Sequence, residues 1–321
     1  MSKKLKFIDL FAGVGGMRLA FERNGCECVF SSEWDVHAQK TYFENFGDMP
    51  YGDITEIDEK DIPDHDVLVG GFPCQPFSSV GKRQGFMHPT QGTLFFDVVR
   101  ILQEKKPKAL LLENVVGLVS HDEGNTFRQI KETLRDELGY HIESKVLDSA
   151  DFGVPQHRRR IYIVGLKMGN DETPDFKWPV SRKKKVGIGK FIESDKTGYS
   201  ISKHLQDAYI YKVDDGRPQV VDKTSNFPVK TLVSSYHKIQ RLTGTFVKDG
   251  DTGLRLLSHN ECKAAMGFPS DFQFPVSRTQ MYRQMGNSVA VPVVEAIAKS
   301  LVKSIENPSV DEKDRSLLRA S

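Results

Sequence analysis

The sequence has little of what marks membrane-anchored, secreted or metal-binding proteins. No apolar run in its 321 residues approaches the roughly 18 residues of a membrane-spanning helix. The chain runs straight into a strand-like segment, without the apolar core of a signal peptide. It has only four cysteines and no CxxC pair, which favours neither a zinc site nor a disulfide framework nor a thiol-redox centre. We therefore expect a soluble cytoplasmic protein without a bound metal.

Net charge is also scarce, since 45 lysines and arginines stand against 43 aspartates and glutamates, a formal charge of +2. This balance is weak evidence against a large polyanionic partner, but the charge is unevenly spread. Residues 48–66 hold eight acids and one lysine, whereas residues 177–190 hold six basic residues and no acid. Such blocks are either solvated surface or phosphate-binding faces, and composition does not choose between them.

Short apolar strands alternate with helical patterns over the first 165 residues, and a hydrophobic content of 38% suffices for a sizeable core. The patterns predict strands at residues 6–11, 28–32, 49–51, 67–70, 109–112, 142–147 and 161–166. They predict helices at residues 17–24, 36–46, 94–104 and 126–138. This alternation indicates an α/β fold with a mostly parallel sheet.

Beyond about residue 167 the apolar periodicity weakens, and glycine, proline, lysine and serine become frequent. The only strand-like pieces there are short, at residues 209–213, 219–221 and 229–234, which indicates a smaller, irregular, β-containing domain. Helical patterns return at residues 258–266 and 291–305. The chain thus divides into one domain built from residues 1–167 and 254–306, an inserted domain at residues 168–253, and a polar tail at residues 307–321.

A glycine-rich turn lies where the first predicted strand gives way to a helix. Gly13, Gly15 and Gly16 lack Cβ atoms, so a ligand can approach the backbone, and the helix N-terminus offers unpaired N–H groups. The spacing is not GxGxxG, so dinucleotide binding is poorly supported. Glu33 lies 20 residues beyond Gly13, at the end of the second predicted strand, where an acid can accept both hydroxyls of a ribose.

Asp53 has the same placement after the third predicted strand, where it could accept a hydrogen bond from an adenine amine. Trp34 stands beside Glu33 and could stack on the base. Each acid alone is more often a surface residue, but their occurrence at successive strand ends favours a site for a nucleoside-bearing cofactor.

Two reactive side chains follow the next pair of predicted strands. Cys74 lies between Pro73 and Pro76 on a loop at the carboxyl end of a strand, where ligands bind in open α/β sheets. A free cysteine is usually a small buried hydrophobic residue, but on such a loop its pKa can fall far enough to give a thiolate nucleophile. Glu113 directly follows an apolar strand, where desolvation can raise its pKa and let it donate a proton.

Five short motifs occur in a fixed order: FAGVGG at residues 11–16, PCQ at 73–75, ENV at 113–115, QHRRR at 156–160 and GNS at 286–288. In this order they resemble the DNA (cytosine-5) methyltransferases of the compact bacterial restriction–modification type. The resemblance spans about residues 6–167 and 254–303, and it leaves the irregular middle as the variable target recognition domain. It implies a Rossmann-like methyltransferase fold that binds S-adenosylmethionine and double-stranded DNA.

The resemblance also implies roles for individual residues. Cys74 would attack C6 of a flipped-out cytosine, Glu113 would hydrogen-bond or protonate N3, and C5 would take the methyl group of S-adenosylmethionine. Arg158 and Arg160 would support the flipped base. The implied cofactor contacts are Phe11, Gly13, Gly15, Gly16, Glu33, Trp34, Asp53, Ile54, Pro73, Asn287 and Ser288. We expect Asn287 at the start of the C-terminal helix.

The expected DNA contacts lie in three stretches of the chain. Residues 81–92 are rich in glycine and predict a mobile loop that closes over DNA, with phosphate contacts from basic side chains. The arginine-rich motif and the Thr-Leu element of the middle domain supply the others. The expected contacts are Gln75, Ser78, Lys82, Arg83, Gln156, Thr231, Leu232 and Tyr236.

Two other functions compete with that of a DNA methyltransferase. A tRNA cytosine-5 methyltransferase of the same fold would have much the same catalytic core, but the long variable segment and its lack of a Cys-Phe-Thr element favour DNA. A non-catalytic nucleotide-binding relative is disfavoured because Cys74, Glu113, Arg158 and Arg160 are all present. We expect a monomer, since no predicted hydrophobic face is unusually broad, with a cognate restriction endonuclease as its functional partner.

Overall fold

The computed structural model describes residues 4–73, 94–167, 172–173, 175–181, 184–307 and 309–310. Its main strands are β1 Lys6–Leu10, β2 Glu27–Ser32, β3 Val67–Gly70, β4 Ala109–Val115, β5 Tyr140–Asp148 and β6 Arg159–Lys167. They form one sheet in the order β2-β1-β3-β4-β6-β5. β2, β1, β3 and β4 are parallel, and β6 is antiparallel to both β4 and β5. The predicted α/β fold with a mostly parallel sheet is confirmed.

Helices follow the parallel strands as the sequence pattern predicts. They are α1 Gly16–Glu22, α2 Val36–Phe46, α3 Leu94–Lys105 and α4 Asn125–Glu132, the last continued by a π-helical turn at Thr133–Glu137. The Asp35 side chain caps α2 by accepting from the N–H groups of His37 and Ala38. The strand predicted at residues 49–51 is present only as an isolated β-bridge between Tyr51 and Ser32.

The middle of the chain is irregular, as expected. Its short elements are β7 Glu172–Thr173, α5 Lys203–Leu205, β8 Gln219–Val221 and β9 Thr245–Val247. β8 and β9 pair in parallel, whereas β7 pairs with the terminal β10 Ser309–Val310. The strand predicted at residues 209–213 is wrong, because a π-helical turn occupies Gln206–Ile210. In the strand predicted at residues 229–234, Val229 forms a single bridge, with Gln156.

Three helices end the fold: α6 His259–Met266, α7 Arg278–Asn287 and α8 Val291–Glu306. The sequence pattern predicted α6 and α8 but not α7, whose mixed polar and apolar composition hides its periodicity. This corrects the expected position of Asn287, which ends α7 instead of beginning the C-terminal helix. The residue that precedes α8 is Ala290.

Alternate residues of the central strands pack into two hydrophobic cores, one on each face of the sheet. Phe7 packs into the core that contains α1 and α8, while Ile8 packs into the core that contains α3 and α4. The first core continues without a break into the middle of the chain, where it takes in Ile188, Val221 and Phe246. The inserted segment therefore shares a core with the sheet.

A buried arginine organises the polar interior of the inserted segment. Arg255 is fully buried, and it donates to Asp249, to both carboxylate oxygens of Glu261 on α6, and to the carbonyls of Glu193 and Leu256. All its donors are therefore satisfied, as a buried charge requires. This cluster ties the inserted segment to α6.

The last turn of α7 touches the backbone of the inserted segment. A Cβ atom placed on Gly286 would lie 2.1 Å from the amide nitrogen of Ser234 and 2.3 Å from the carbonyl carbon of Val233. Backbone atoms cannot rotate away as a flexible side chain can, so only glycine fits here. Gly286 thus allows α7 and residues 233–234 to meet at the distance of direct contact.

Replacing Gly286 by alanine is expected to force α7 and residues 233–234 apart and to destabilise the protein by about 1–3 kcal/mol. Thermal unfolding would measure the change. Gly117→Ala is the matched control, because a Cβ there would have no atom within 4 Å. Equal unfolding temperatures for the two variants would contradict the proposed close packing.

Candidate active site

One cavity of about 640 Å³ opens at the carboxyl ends of the parallel strands, between them and the end of α7. It brings together most residues that the sequence singled out as cofactor contacts: Phe11, Gly13, Glu33, Trp34, Asp53, Ile54, Pro73, Asn287 and Ser288. Three predicted catalytic residues, Glu113, Arg158 and Arg160, line the same cavity. Ligands bind at this edge of open α/β sheets because the loops there diverge.

Two predicted cofactor contacts stand behind the cavity wall. Gly15 and Gly16 begin α1 and do not line the cavity. Gly15 has a φ of +83°, a left-handed conformation that favours glycine. Their contribution is to turn the chain so that Gly13 reaches the cavity.

Glu33 is buried, and the backbone around it holds its carboxylate. Oε2 accepts from the N–H of Gly13 at 2.7 Å, and Oε1 accepts from the N–H of Asp35 at 2.8 Å. Burial raises the pKa of Glu33 above its usual value, while these two backbone donors oppose the rise. Each carboxylate oxygen can accept a further hydrogen bond, so the group can still receive ribose hydroxyls.

Trp34 and Asp53 form a more open part of the lining. The Trp34 side chain is 73% exposed, which leaves its indole face free for a stacking base. Asp53 accepts from the N–H and hydroxyl of Thr55 with Oδ1 alone, so Oδ2 is available to a ligand. Ile54 is buried beside them and supplies an apolar wall.

The cavity lining has polar atoms that can be compared with the polar groups of a nucleoside that carries an amino-acid arm. The hydroxyl of Ser32 and Nε2 of Gln284 are buried, and neither has a hydrogen-bond partner among the described residues. Buried polar atoms are nearly always paired, so these two call for a ligand or water with polar groups. Together with Glu33 and Asp53 they fit S-adenosylmethionine, which carries hydroxyls, an amine, an ammonium and a carboxylate.

Glu113 lies near the end of β4, opposite Tyr162 on β6. Its Oε1 is 3.0 Å from Nε of Arg160, two residues along β6, so the two side chains form an ion pair at the cavity wall. Burial raises the pKa of Glu113 above its usual value, and the charges of Arg160 and Arg158 only partly offset this. The carboxyl can therefore hold a proton closer to neutral pH than a solvated glutamate does.

Asn114 fixes the chain that leads to the predicted nucleophile. Its Nδ2 donates to the carbonyl of Phe72 at 2.9 Å, and its Oδ1 accepts from the N–H of Val115 at 2.8 Å. This ties the segment after β3 to the end of β4, beside Glu113. The predicted site residues that follow lie outside the described residues: Cys74, Gln75, Ser78, Lys82 and Arg83.

Arg158 is 3% exposed and connects three parts of the chain. Nη1 donates to the carbonyl of Leu232 at 3.1 Å, and Nη2 donates to those of Gly286 at 2.9 Å and Ser288 at 2.6 Å. Burial, together with the charge of Arg160, lowers the pKa of Arg158 to about 10. Its terminal nitrogens are thus engaged with the backbone, while its buried Nε has no partner among the described residues.

Predicted DNA contacts around this arginine prove to be buried. Gln156 is 0% exposed, and its amide donates to the carbonyl of Ala265 and accepts from the N–H of Leu232. The Tyr236 hydroxyl donates to the carbonyl of Thr245 and accepts from the N–H of Leu257. Direct DNA contact by Gln156, Leu232 and Tyr236 is therefore corrected, because burial leaves their side chains no access to a duplex.

Thr231 belongs to the same junction but keeps partial exposure. Its hydroxyl donates to the carbonyl of His157 at 2.6 Å. Val229 adds backbone hydrogen bonds to Pro155 and His157. We call residues 155–158 with residues 229–232 the seam, since they join the sheet to the inserted segment.

Sequence reasoning missed five polar residues of the cavity: Ser32, Asp35, Asn114, Arg283 and Gln284. Asn114 stands within the ENV motif, but nothing in the sequence indicates its hydrogen bond to Phe72. Gln284 lies three residues before Asn287, a spacing that places both on one face of a helix, and this signal could have found it once α7 was recognised.

No group of three or more histidine, cysteine, aspartate or glutamate side chains within the described ranges could hold a metal ion. Nor is any helix in that part of the chain long and apolar enough to cross a membrane.

The chain is similar in sequence to a known family of proteins and similar in fold to solved structures. Residues 5–303 match the family described as C-5 cytosine-specific DNA methylase. The chain is 57% identical to the Type II methyltransferase M.MspI of a Moraxella species, over 97% of this chain and 74% of that protein. It is 58% identical to M.BsuFI of Bacillus subtilis, over 93% of this chain and 72% of that protein.

Among solved structures, the Dnmt2 methyltransferase of S. pombe superposes with a TM-score of 0.76. The match covers 95% of this chain and all of that one, at 21% sequence identity. At this identity the likeness shows a shared fold, in agreement with the Rossmann-like arrangement of the sheet.

Replacing Arg158 by methionine is expected to loosen the seam, because three buried carbonyls lose their donor at a cost of about 1–3 kcal/mol each. Hydrogen exchange should become faster in residues 229–236 and 284–290, and the unfolding temperature should fall. Arg159→Met is the control, since Arg159 is exposed. Unchanged exchange in both stretches would show that Arg158 does not hold them together.

Proposed function

The chain belongs to the C-5 cytosine-specific DNA methylases, and we propose that the cavity at the carboxyl ends of its parallel strands is where cofactor and target cytosine meet. The protein is a site-specific DNA cytosine-5 methyltransferase of the restriction–modification type, with S-adenosylmethionine as its methyl donor. The observation that carries the proposed site is the common lining. Candidate nucleoside-binding residues and the buried carboxyl of Glu113 face one space.

The proposed reaction begins at Cys74, which follows the segment that Asn114 holds in position. The Cys74 thiolate forms a bond to C6 of cytosine, and electron density moves to C5 and N3. S-adenosylmethionine supplies an electrophilic methyl group when bound. C5 takes that methyl group, with S-adenosylhomocysteine as the leaving group. C5 then loses its hydrogen as a proton to solvent and N3 returns its proton to Glu113, so that the bond between C6 and sulfur breaks and the thiolate is regenerated.

Glu113 is proposed to act on N3 during the attack. Because burial raises its pKa, Glu113 keeps its proton to a higher pH than a solvated glutamate does, and the proton can be donated as negative charge develops on the ring. Arg160 at 3.0 Å orients the carboxyl and limits the rise in its pKa. Proton transfer by a positioned side chain contributes about 10²–10⁴-fold to a rate.

A cytosine within a duplex cannot reach a buried carboxyl, so the target base must be flipped out of the helix at a cost of a few kcal/mol. The cavity offers polar partners that offset this cost, namely Glu113, Arg160 and the backbone near Pro73. We propose that residues 168–253 recognise the DNA sequence, while residues 1–167 and 254–306 form the catalytic domain.

The oligomeric state of the enzyme, its place in the cell and its functional partner are proposals as well. We infer that the enzyme acts as a monomer on double-stranded DNA in the bacterial cytoplasm and associates with the nucleoid in use. A cognate restriction endonuclease would be its functional partner. The names of the Moraxella and Bacillus relatives, both Type II methyltransferases, support this setting.

Cys74→Ala is expected to abolish methyl transfer to duplex DNA while cofactor binding, measured by calorimetry, stays within twofold of the wild type. The thiolate is needed for the covalent step but not for holding the cofactor. Ala substitution at the buried Cys262 serves as the control for a lost thiol. Retained turnover by Cys74→Ala would refute the nucleophile assignment.

Glu113→Gln is expected to lower kcat by about 10²–10⁴-fold, because glutamine can hydrogen-bond N3 but cannot donate a full proton. In the wild type, the protonated fraction of Glu113 falls as pH rises through its raised pKa, so a decline of kcat at high pH should belong to this group.

Single-turnover rates between pH 5 and 9 would test this, with the exposed Glu104→Gln as control. The variant at position 113 should lose the high-pH decline. If the decline persisted unchanged, proton donation by Glu113 would be excluded.

A further inference from the structure

Gln284 is a polar residue of the cavity to which the proposed chemistry assigns no role. It lies on α7, is 7% exposed, and lines the cavity. Its Oε1 accepts from the hydroxyl of Thr41 on α2 at 3.0 Å, and Thr41 is itself fully buried. Its Nε2 is buried without a hydrogen-bond partner among the described residues.

This arrangement leaves the donor nitrogen of the amide, Nε2, for a ligand in the cavity. The Thr41 hydroxyl lies closer to Oε1, at 3.0 Å, than to the carbonyl of His37, at 3.3 Å, so Oε1 takes its hydrogen and Nε2 stays on the opposite side of the amide group. Buried N–H donors without a partner are rare in folded proteins, so Nε2 is suited to an acceptor that arrives with a ligand. A side chain held at one end also loses little rotational freedom on binding, which favours affinity.

The chemistry of the proposed cofactor indicates which acceptor this is. The sulfonium of S-adenosylmethionine bears a methyl group, an adenosyl group and an aminocarboxypropyl arm. The nucleoside is assigned to Glu33, Trp34 and Asp53, and the methyl group must point toward Glu113, where the target cytosine is proposed to bind. The arm is then left with the lining between α2 and α7, where Gln284 lies.

Neighbouring groups suit the two charges of that arm. Asn287 and Ser288 follow Gln284 by three and four residues, so they share its side of the helix end. Asp35 and Arg283 lie 3.6 Å apart at the same part of the lining, which provides both signs of charge. Of the arm's two ends only the carboxylate accepts hydrogen bonds, and Nε2 is a donor.

We propose that Gln284, held by Thr41, binds the carboxylate of the aminocarboxypropyl arm and so discriminates ligands that carry the arm from those that lack it. This inference rests on the proposed function, since it takes S-adenosylmethionine as the occupant of the cavity. Gln284 would be a binding residue, and Thr41 a positioning residue that acts through it.

The test compares two ligands that differ in the arm alone. S-adenosylhomocysteine has the arm, whereas 5′-methylthioadenosine keeps the nucleoside and sulfur but ends in a methyl group. Isothermal titration of the full chain would give both dissociation constants. Gln284→Met, which keeps the length but removes the donor, should weaken S-adenosylhomocysteine about tenfold or more and leave 5′-methylthioadenosine within twofold.

Two further variants sharpen the result. Gln284→Glu puts a carboxylate against a carboxylate and should weaken S-adenosylhomocysteine more than Gln284→Met does. Thr41→Val removes the hydroxyl that holds Oε1, so it should give a smaller loss for S-adenosylhomocysteine and none for 5′-methylthioadenosine. If Gln284→Met failed to fold, Gln284→Asn and Thr41→Val would carry the comparison.

Two outcomes would overturn the inference. Equal losses for both ligands would mean that Gln284 shapes the cavity as a whole, and no loss for either would mean that water satisfies Nε2. Failure of the wild type to bind S-adenosylhomocysteine at all would instead count against the proposed cofactor. The two failures are therefore distinguishable in one set of titrations.

Discussion

The donation of one buried guanidinium to three backbone carbonyls is the contact on which the arrangement of the site depends. Arg158 stands at the start of β6 and reaches the inserted segment at Leu232 and the end of α7 at Gly286 and Ser288. The strand order alone places the carboxyl ends of β1, β2, β3 and β4 at one edge of the sheet, but it does not place α7 at that edge. The cavity is closed by a contact between distant parts of the chain. A charged donor suits this contact because the last carbonyls of a helix lack partners within the helix, and one guanidinium can donate to several of them.

The site around this contact has two carboxyl groups held in fixed positions and two side chains that remain open to a ligand. Glu33 is held by the backbone of the glycine turn, and Glu113 by its ion pair with Arg160. Trp34 and Asp53 keep exposed or unused groups toward the cavity. Preorganised carboxyls spend little free energy on reorientation during reaction, while an open aromatic face accepts a base without forcing other groups apart.

Much of the fold followed from the sequence because its signals are local. α2 matches its predicted limits, since Asp35 caps one end and Gly47 the other. Strand ends likewise located Glu33, Asp53 and Glu113, because the carboxyl edge of a parallel sheet collects them. Failures arose where long-range packing decides. Gln156 and Tyr236 have side chains suited to DNA, but they are buried by contacts with residues 76 and 21 positions away. α7 lacks a clear apolar stripe, so Gln284 went unnoticed with it.

The close contact of Gly286 with Val233 and Ser234 has a consequence for how such enzymes can be recombined. A reader segment from another methyltransferase could replace this one only if its backbone followed the same course at residues 229–234. Outside that stretch, α7 meets the inserted segment through side chains, Tyr282 against Tyr236 and Arg278 over the ring of Tyr199, and these can adjust by rotation. Graft boundaries set outside the seam would carry the docking backbone along with the reader, whereas boundaries inside it would cut through the hydrogen bonds that hold the two parts together.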